Sequence, residues 1–434
     1  MFLTVILFIL VLSLLVFFHE LGHFITAKKL GMKVDEFGFG FPPRAFGLVR
    51  VREEKRRLVE EVEEVTLEAG RIEGTEGIEG IVVEKETDVI RDTVEVETKT
   101  RWKFVWGSKD EHPDQTIYSI NWIPLGGFVK IHGEAGDLKN DPRSFSSRPA
   151  WQRFLVLIAG VTMNFLFAAA LLSVGFAVGL PSAIDGSLSP SAKLTDEKIQ
   201  VMTVGQSSAA ELAGIQAGDE ILSLDGKIFT TAEEAKDYIK NQEGQSVEFL
   251  LRRGVDTITV SVTATAPSSG GEKIIGVGLV KTALVSFPWY LAAIKGIGAT
   301  FVFTWEVLKA FGNLLWNLVV HQSVSVDLAG PVGIAVMTGE AAALGMVYLL
   351  QFAAILSVNL AVVNILPFPA LDGGRLLFLI IEKIRGRATD EKIETLVHNL
   401  GFALMLLLVA FVTYRDLARF SGQIIGAVKN LIGV

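Results

Sequence analysis

The sequence predicts an α-helical polytopic membrane protein of about four transmembrane helices. It adds a membrane re-entrant β-hairpin region and one extracytoplasmic α/β domain. Three observations predict this. Half of the 434 residues are apolar. The apolar residues gather in long uncharged runs separated by charged stretches, as spans alternate with extramembrane parts. One of the charged stretches alternates between strand-like and helix-like patterns.

The first run, within residues 1–29, goes from Phe2 to about Ile25 and ends in Lys28 and Lys29. A cleaved signal peptide would also begin with such a run. No Lys or Arg precedes it, however, no small-x-small site follows, and it passes directly into His19-Glu20, so a retained span is expected. The second span is read at 151–180, the third at 341–366 before Pro367 and Pro369, and the fourth at 396–414. Lys and Arg collect after the first span, before the second and between the third and fourth. By the positive-inside rule these regions are cytoplasmic, and both termini and residues 181–339 lie on the other side. Arg415 and Arg419, after the last span, run against that bias.

Residues 30–150 form the loop between the first two spans. Its acidic insertion, 53–111, has the composition of a solvated, partly disordered segment, although Thr93 to Thr98 alternates with the period of an exposed strand. Thr116 to Ile131 instead has two apolar arms around Pro124-Leu-Gly-Gly127, which reads as a β-hairpin able to dip into the membrane. Residues 198–266 read as a compact α/β domain, with a Thr-capped amphipathic helix from Thr231 to Lys240. Residues 286–332 are apolar but interrupted by Lys295, Glu306 and Lys309, so they are read as amphipathic helices lying on the membrane rather than across it.

A net charge of -8 leaves no basic surface for nucleic acid, and none is expected as a partner. Cysteine is absent, so any metal site must use His, Asp or Glu. His19-Glu-Leu-Gly-His23 offers such a site. Positions i and i+4 share a helix face, so both imidazoles can hold one ion, and Glu20 can act as general base. Three ionisable residues at the end of a span point to function, unless they simply lie beyond the bilayer edge. A catalytic zinc needs a third protein ligand. Asp372 is the best candidate, in Leu371-Asp-Gly-Gly374 after the proline break and at the same membrane face. Helix capping is its alternative role. Asn359 and Asn364 on the third span could bond neighbouring helices or handle a substrate backbone.

Taken in order, these motifs resemble the bacterial site-2 protease family, of the regulator-of-sigma-E protease (RseP) type. The resemblance runs through His19 to Phe24, Phe37 to Pro42, Ile123 to Lys130, and Arg153 to Phe165 with Gly160 and Asn164. It continues through Ala329 to Ala335 and Asn359 to Leu376. Ser207 to Gly226 looks like part of a bacterial PDZ domain. The resemblance implies Zn2+ held by His19, His23 and Asp372, with Glu20 as base. It also implies single-span membrane proteins as substrates, anti-sigma factors or remnant signal peptides, cut after a first cleavage. Asn359, Asn364 and the strand region Gly126, Gly127, Phe128 and Val129 would handle the unwound substrate. A multi-pass protein of the cell (inner) membrane is expected, monomeric, with its active site toward the cytoplasm and its PDZ domain outside. The chain departs from the pattern in the 53–111 insertion, in having a single PDZ module, and in Val161, where the family usually has Pro. A membrane scaffold with a dead site, and an anchored protease acting on soluble peptides, are the other readings.

Overall fold

The computed structural model describes residues 2–63, 89–107, 114–134, 138, 140–184, 190–205, 208–242, 244–254, 256–263, 275–320, 329–387 and 389–432. The long apolar runs become helices, because in lipid a helix satisfies its own backbone. They are α1 (Phe2–Lys29) and α2 (Ala150–Val178), and, later in the chain, α5 (Trp289–Val320), α6 (Pro331–Leu344), α7 (Met346–Ile365), α8 (Asp372–Arg385) and α9 (Glu391–Ile432). Helices α1, α2 and α7 form the centre. Val11 and Leu15 of α1 cluster with Leu349 and Ala353 of α7. Ala168 and Leu172 of α2 cluster with Ala354, Val358 and Val362 of the same helix.

Between α1 and α2 lies a sheet of β1 (Val34–Glu63), β2 (Val89–Trp106) and β3 (Ile117–Ile131), in the order β2-β1-β3. Its register corrects the expected hairpin. The two halves of β3 do not pair with each other. The start of β1 lies between them, so that Phe37 is opposite both Tyr118 and Val129. The later part of β1 then pairs with Ile117 to Asn121. Residues 123–131 are therefore paired on one side only, along 34–41, and the other side lies against α1. Ser13, in the apolar part of α1, accepts a hydrogen bond from Gly126 N–H at 3.0 Å and donates to Pro124 O at 3.0 Å. Non-helical backbone beside an apolar helix is thereby satisfied by protein.

The described part of the 53–111 segment also departs from its composition. Residues 46–63 pair without interruption with 106–89, from Phe46↔Trp106 to Glu63↔Val89, as a long two-stranded ribbon. The period-two alternation carried the structural signal there. Residues 64–88 and 108–113 lie outside the described residues.

After α2 comes a six-stranded sheet in the order β4-β9-β5-β6-β7-β8. Its strands are β4 (Leu180–Ala183), β5 (Lys193–Val204), β6 (Glu220–Leu224), β7 (Ser246–Arg253), β8 (Asp256–Thr263) and β9 (Val277–Ser286), with helices α3 (Ala209–Leu212) and α4 (Ala232–Asn241). Val201, Leu224, Phe249, Leu251 and Leu279 fill its core. The domain thus extends beyond 198–266 in both directions, because β9 inserts between β4 and β5. It is seated on the helices: Phe287 N–H bonds Phe176 O at 2.8 Å, and Lys198 Nζ donates to the Tyr348 hydroxyl at 3.3 Å.

Residues 289–320 form one 32-residue helix, not several. Glu306 and Lys309, counted as interruptions in sequence, are an i,i+3 ion pair at 2.7 Å. Ala299, Phe303, Val307 and Phe311 pack on the α2–α7 core. By length and composition α5 can cross a membrane, which makes five such helices among the described residues rather than four. The run read as a third span from 341 breaks at Gly345, whose φ of 126° lies outside the helical range. Its apolar partner α6 begins at Gly330-Pro331, with no capping side chain of its own. The cap comes from α9, where buried Asp416 accepts Gly333 N–H at 2.7 Å. That contact gives the Ala329-Gly-Pro-Val-Gly333 motif a structural role.

Candidate metal centre

The site forms where α1 crosses α2 and the start of α8 closes over them. Gly22 permits the crossing, since a Cβ there would lie 2.3 Å from Ala159 O. His19 and His23 are one helical turn apart and both buried. Their Nε2 atoms are 3.2 Å apart. The Asp372 carboxylate arrives from the other end of the chain, with Oδ2 at 3.0 Å from His19 Nε2 and 3.3 Å from His23 Nε2. After Leu366 the chain turns through the proline break, with Ala370 at φ 78°, and starts α8 at Asp372. His398 of α9 holds that turn by accepting Ala370 N–H at 3.0 Å.

These distances suit one tetrahedral ion. Bonds of about 2.05 Å place neighbouring ligand atoms roughly 3.3 Å apart. Asp372 Oδ2 is enclosed and has no hydrogen-bond partner, which leaves it available to an ion. The histidines are also oriented for it. His23 Nδ1 faces Val156 O at 2.8 Å, so its proton sits on Nδ1 and Nε2 is free to ligate. His19 Nδ1 faces the Asn164 amide at 3.2 Å. Asn164 is fully buried, and its Oδ1 has no partner. Turning that amide lets Oδ1 accept His19 Nδ1–H and frees His19 Nε2 in the same way. Gly160, also on α2, leaves the space open: a Cβ there would lie 2.3 Å from His23 Nε2 and 2.8 Å from His19 Nε2.

Glu20 is beside these three side chains, within electrostatic reach of His23, Asp372 and Glu134, and accepts a hydrogen bond from Val129 N–H. Glu134 is ion-paired to Arg375, one turn after Asp372. Asn364 Nδ2 reaches His19 Nε2 at 3.4 Å, and so Asn364 joins the site. Asn359 makes no hydrogen bond to it among the described residues. Five residues separate the two, which puts Asn359 on a different side of α7. Gly126 and Gly127 are buried against α1, while Phe128 and Val129 are half-buried.

A sequence model of peptidase family M50 matches residues 7–56 and 103–408. The chain belongs to that family. The family model passes over 57–102. Zinc metalloprotease RasP of Geobacillus kaustophilus (strain HTA426) is 32% identical over 96% of this chain and 98% of its own length. Regulator of sigma-W protease RasP of Bacillus subtilis (strain 168) is 33% identical over 96% and 98%. The PDZ domain of the SdrC-like protein Lin2157 of Listeria innocua is 30% identical over 19% of this chain and 92% of its own, with a TM-score of 0.17. The site-2 protease resemblance of the motifs is borne out, and this M50 chain is a zinc metalloendopeptidase whose cofactor is Zn2+. Its apolar helices make it a multi-pass membrane protein.

Sequence reasoning assigned no role to Asn164, Gly160 or His398. Asn164 carried a usable signal, a lone amide inside an otherwise apolar run, but such residues also serve as ordinary bonds between helices.

Proposed function

We propose that this chain hydrolyses peptide bonds within the transmembrane segments of single-span membrane proteins, anti-sigma factors or remnant signal peptides, after a first cleavage has shortened them. The observation that carries the reading is the meeting of Asp372 with His19 and His23, at 3.0 to 3.3 Å, against a helix apolar enough to span. These three side chains hold the zinc. Zinc, when bound, supplies Lewis-acid polarisation of the scissile carbonyl and of the attacking water. Glu20 takes a proton from that water and delivers one to the amine nitrogen as the C–N bond breaks. Asn364, next to His19, steadies the substrate carbonyl. Asn359 has only the family resemblance behind it.

A helical substrate must unwind to be cut, and its freed backbone needs hydrogen bonds in place of its own. The unpaired side of Gly126 to Val129 supplies them by strand addition. Two of its N–H groups are now taken by Ser13 and Glu20. An entering strand exchanges with those contacts, and so docks directly beside the base. The Lys and Arg beside the spans support a site toward the cytoplasm. The α/β domain acts on the opposite side as a PDZ module that filters substrates by size, and the enzyme works as a monomer.

The test is Glu20→Gln, reconstituted with a pre-shortened single-span substrate. Zinc content should stay at wild type while turnover falls roughly 10^2–10^4-fold. Near-normal turnover would remove Glu20 from the mechanism, and loss of zinc would make it structural.

A further inference from the structure

At the end of α8 remote from Asp372, a cavity of about 400 Å³ opens between α8 and the start of α9. Phe378, Ile381 and Ile393 form its apolar wall, and Arg385, Arg387 and Thr389 its polar rim. Three features of that rim call for an anion. Neither guanidinium has a hydrogen bond or ion pair among the described residues. The Thr389 hydroxyl is enclosed and has no hydrogen-bond partner. The acid in the lining, Asp390, has one carboxylate oxygen engaged by Lys392 N–H at 2.9 Å. Glu382, on the same helix, is occupied by Arg153 at 2.7 Å.

The surroundings define what carries the anion. The cavity adjoins a stripe of Leu377, Ile380 and Ile384 on α8, of which Ile384 is 80% exposed. Across the mouth, Ile393, Leu396 and Leu400 of α9 are also exposed, where that helix enters its apolar run. A short helix with an apolar side and a basic end, joined to a span, has the composition of an element lying in the interface. An acyl chain would run along these side chains while its phosphate sits between the two arginines. Guanidinium groups match phosphate oxygens in paired hydrogen bonds, and the Thr389 hydroxyl donates to a third oxygen or to the glycerol.

We propose that this cavity is a binding site for the headgroup of an anionic phospholipid. An anionic lipid is favoured over a zwitterionic one because a choline ammonium would face Arg385, Arg387 and exposed Lys383. The site does not depend on how the metal centre is assigned, but the helix that carries it has Asp372 as its first residue. The clamp therefore lies about 20 Å along α8 from the ligands.

Native mass spectrometry of the detergent-solubilised full chain tests this, with dioleoylphosphatidylglycerol and dioleoylphosphatidylcholine as probes. Phosphatidylglycerol should be retained at one high-affinity equivalent, and phosphatidylcholine at least about tenfold more weakly. The double variant Arg385→Gln, Arg387→Gln should bind phosphatidylglycerol about thirtyfold more weakly, and the double Lys variant, which keeps the charge but loses the paired hydrogen bonds, should fall between it and wild type. Zinc content and thermal melting report whether each variant is folded. If the Gln pair does not fold, Thr389→Val decides, and should weaken phosphatidylglycerol alone. Equal retention of the two lipids overturns the site. So does unchanged phosphatidylglycerol binding in the folded Gln pair, or in Thr389→Val where that variant decides.

Discussion

Where α1 crosses α2, Gly22 faces a carbonyl and Gly160 faces two imidazoles, with no room for a methyl group on either. In the α/β domain, Phe249, Leu251, Val201 and Leu279 fill a core with side-chain volume. The metal centre is positioned by backbone approach and by a few buried hydrogen bonds. The domain is positioned by packing that can relax around a change. The two should therefore fail differently: the first by losing metal while the fold persists, the second by losing stability while the metal stays.

The largest effect is expected at Gly160. Alanine there puts a carbon 2.3 Å from His23 Nε2, in the space between the ligand atoms. The close contact of α1 and α2 leaves little freedom to move away. Gly160→Ala should lower zinc affinity by more than the roughly 10–100-fold typical of outer-shell changes, measured by chelator competition. Stoichiometric zinc under mild chelation would mean that the helices separate easily, and the contrast with the α/β domain would disappear.

Asn164 should come next, because it acts only through His19. Asn164→Leu leaves Nδ1–H of His19 buried without an acceptor, and zinc affinity should fall roughly 10–100-fold. Asn164→Asp keeps an acceptor of the same shape and should retain the metal. If Asn164→Leu and Asn164→Asp lose zinc equally, the residue is there for packing and does not set the tautomer.

The two regions also differed in how far the sequence could be read. His19 and His23 stood out because a helix turns local spacing into a shared face, and Asp372 because two prolines mark where α7 must end. Asn164 could not be assigned a partner, since nothing local relates it to a residue 145 positions earlier. The same limit applies to the sheet. The insertion of 34–41 between the halves of β3 is a long-range pairing, and a Gly-rich turn is its only local trace. In α5, charges read one at a time suggested a surface helix, whereas Glu306 and Lys309 satisfy each other. The strands of the α/β domain within 198–266 were legible, but β4 and β9, which pair with each other, lie outside the expected limits on either side.

A core change in the domain sharpens the comparison from the other side. Phe249 is fully buried. Phe249→Ala should cost the domain about 3–5 kcal/mol, seen as faster hydrogen exchange in β6, β7 and β8. Zinc content and exchange around His19 to His23 should not change. A parallel loss of zinc would show that the seating of the domain on Phe176 and Tyr348 transmits strain to the site.

The smallest expected effect tests whether the domain's helix is set by its own local chemistry. Thr231 caps α4, its hydroxyl accepting Glu234 N–H at 3.2 Å, while Glu234 reaches back to Thr230 N–H at 3.2 Å. α4 has only 10 residues, with Ala232 and Ala235 buried and Tyr238 and Ile239 packed partly buried on the core, so a cap is a sizeable part of what holds so short a helix. Thr231→Ala should cost about 1 kcal/mol, and Thr231→Ser almost nothing. The Glu234 half of the cap adds a pH dependence of known sign. Hydrogen bonds from the Thr230 side chain and backbone hold its carboxyl below the ordinary 4.5. Its contribution is thus complete above that value and disappears as the pH falls through the lower, folded-state value. Amide exchange in α4 should quicken on acidification in wild type and less so in Glu234→Gln, with no matching change at His19. Equal acid sensitivity in both would place the titrating group elsewhere in the domain.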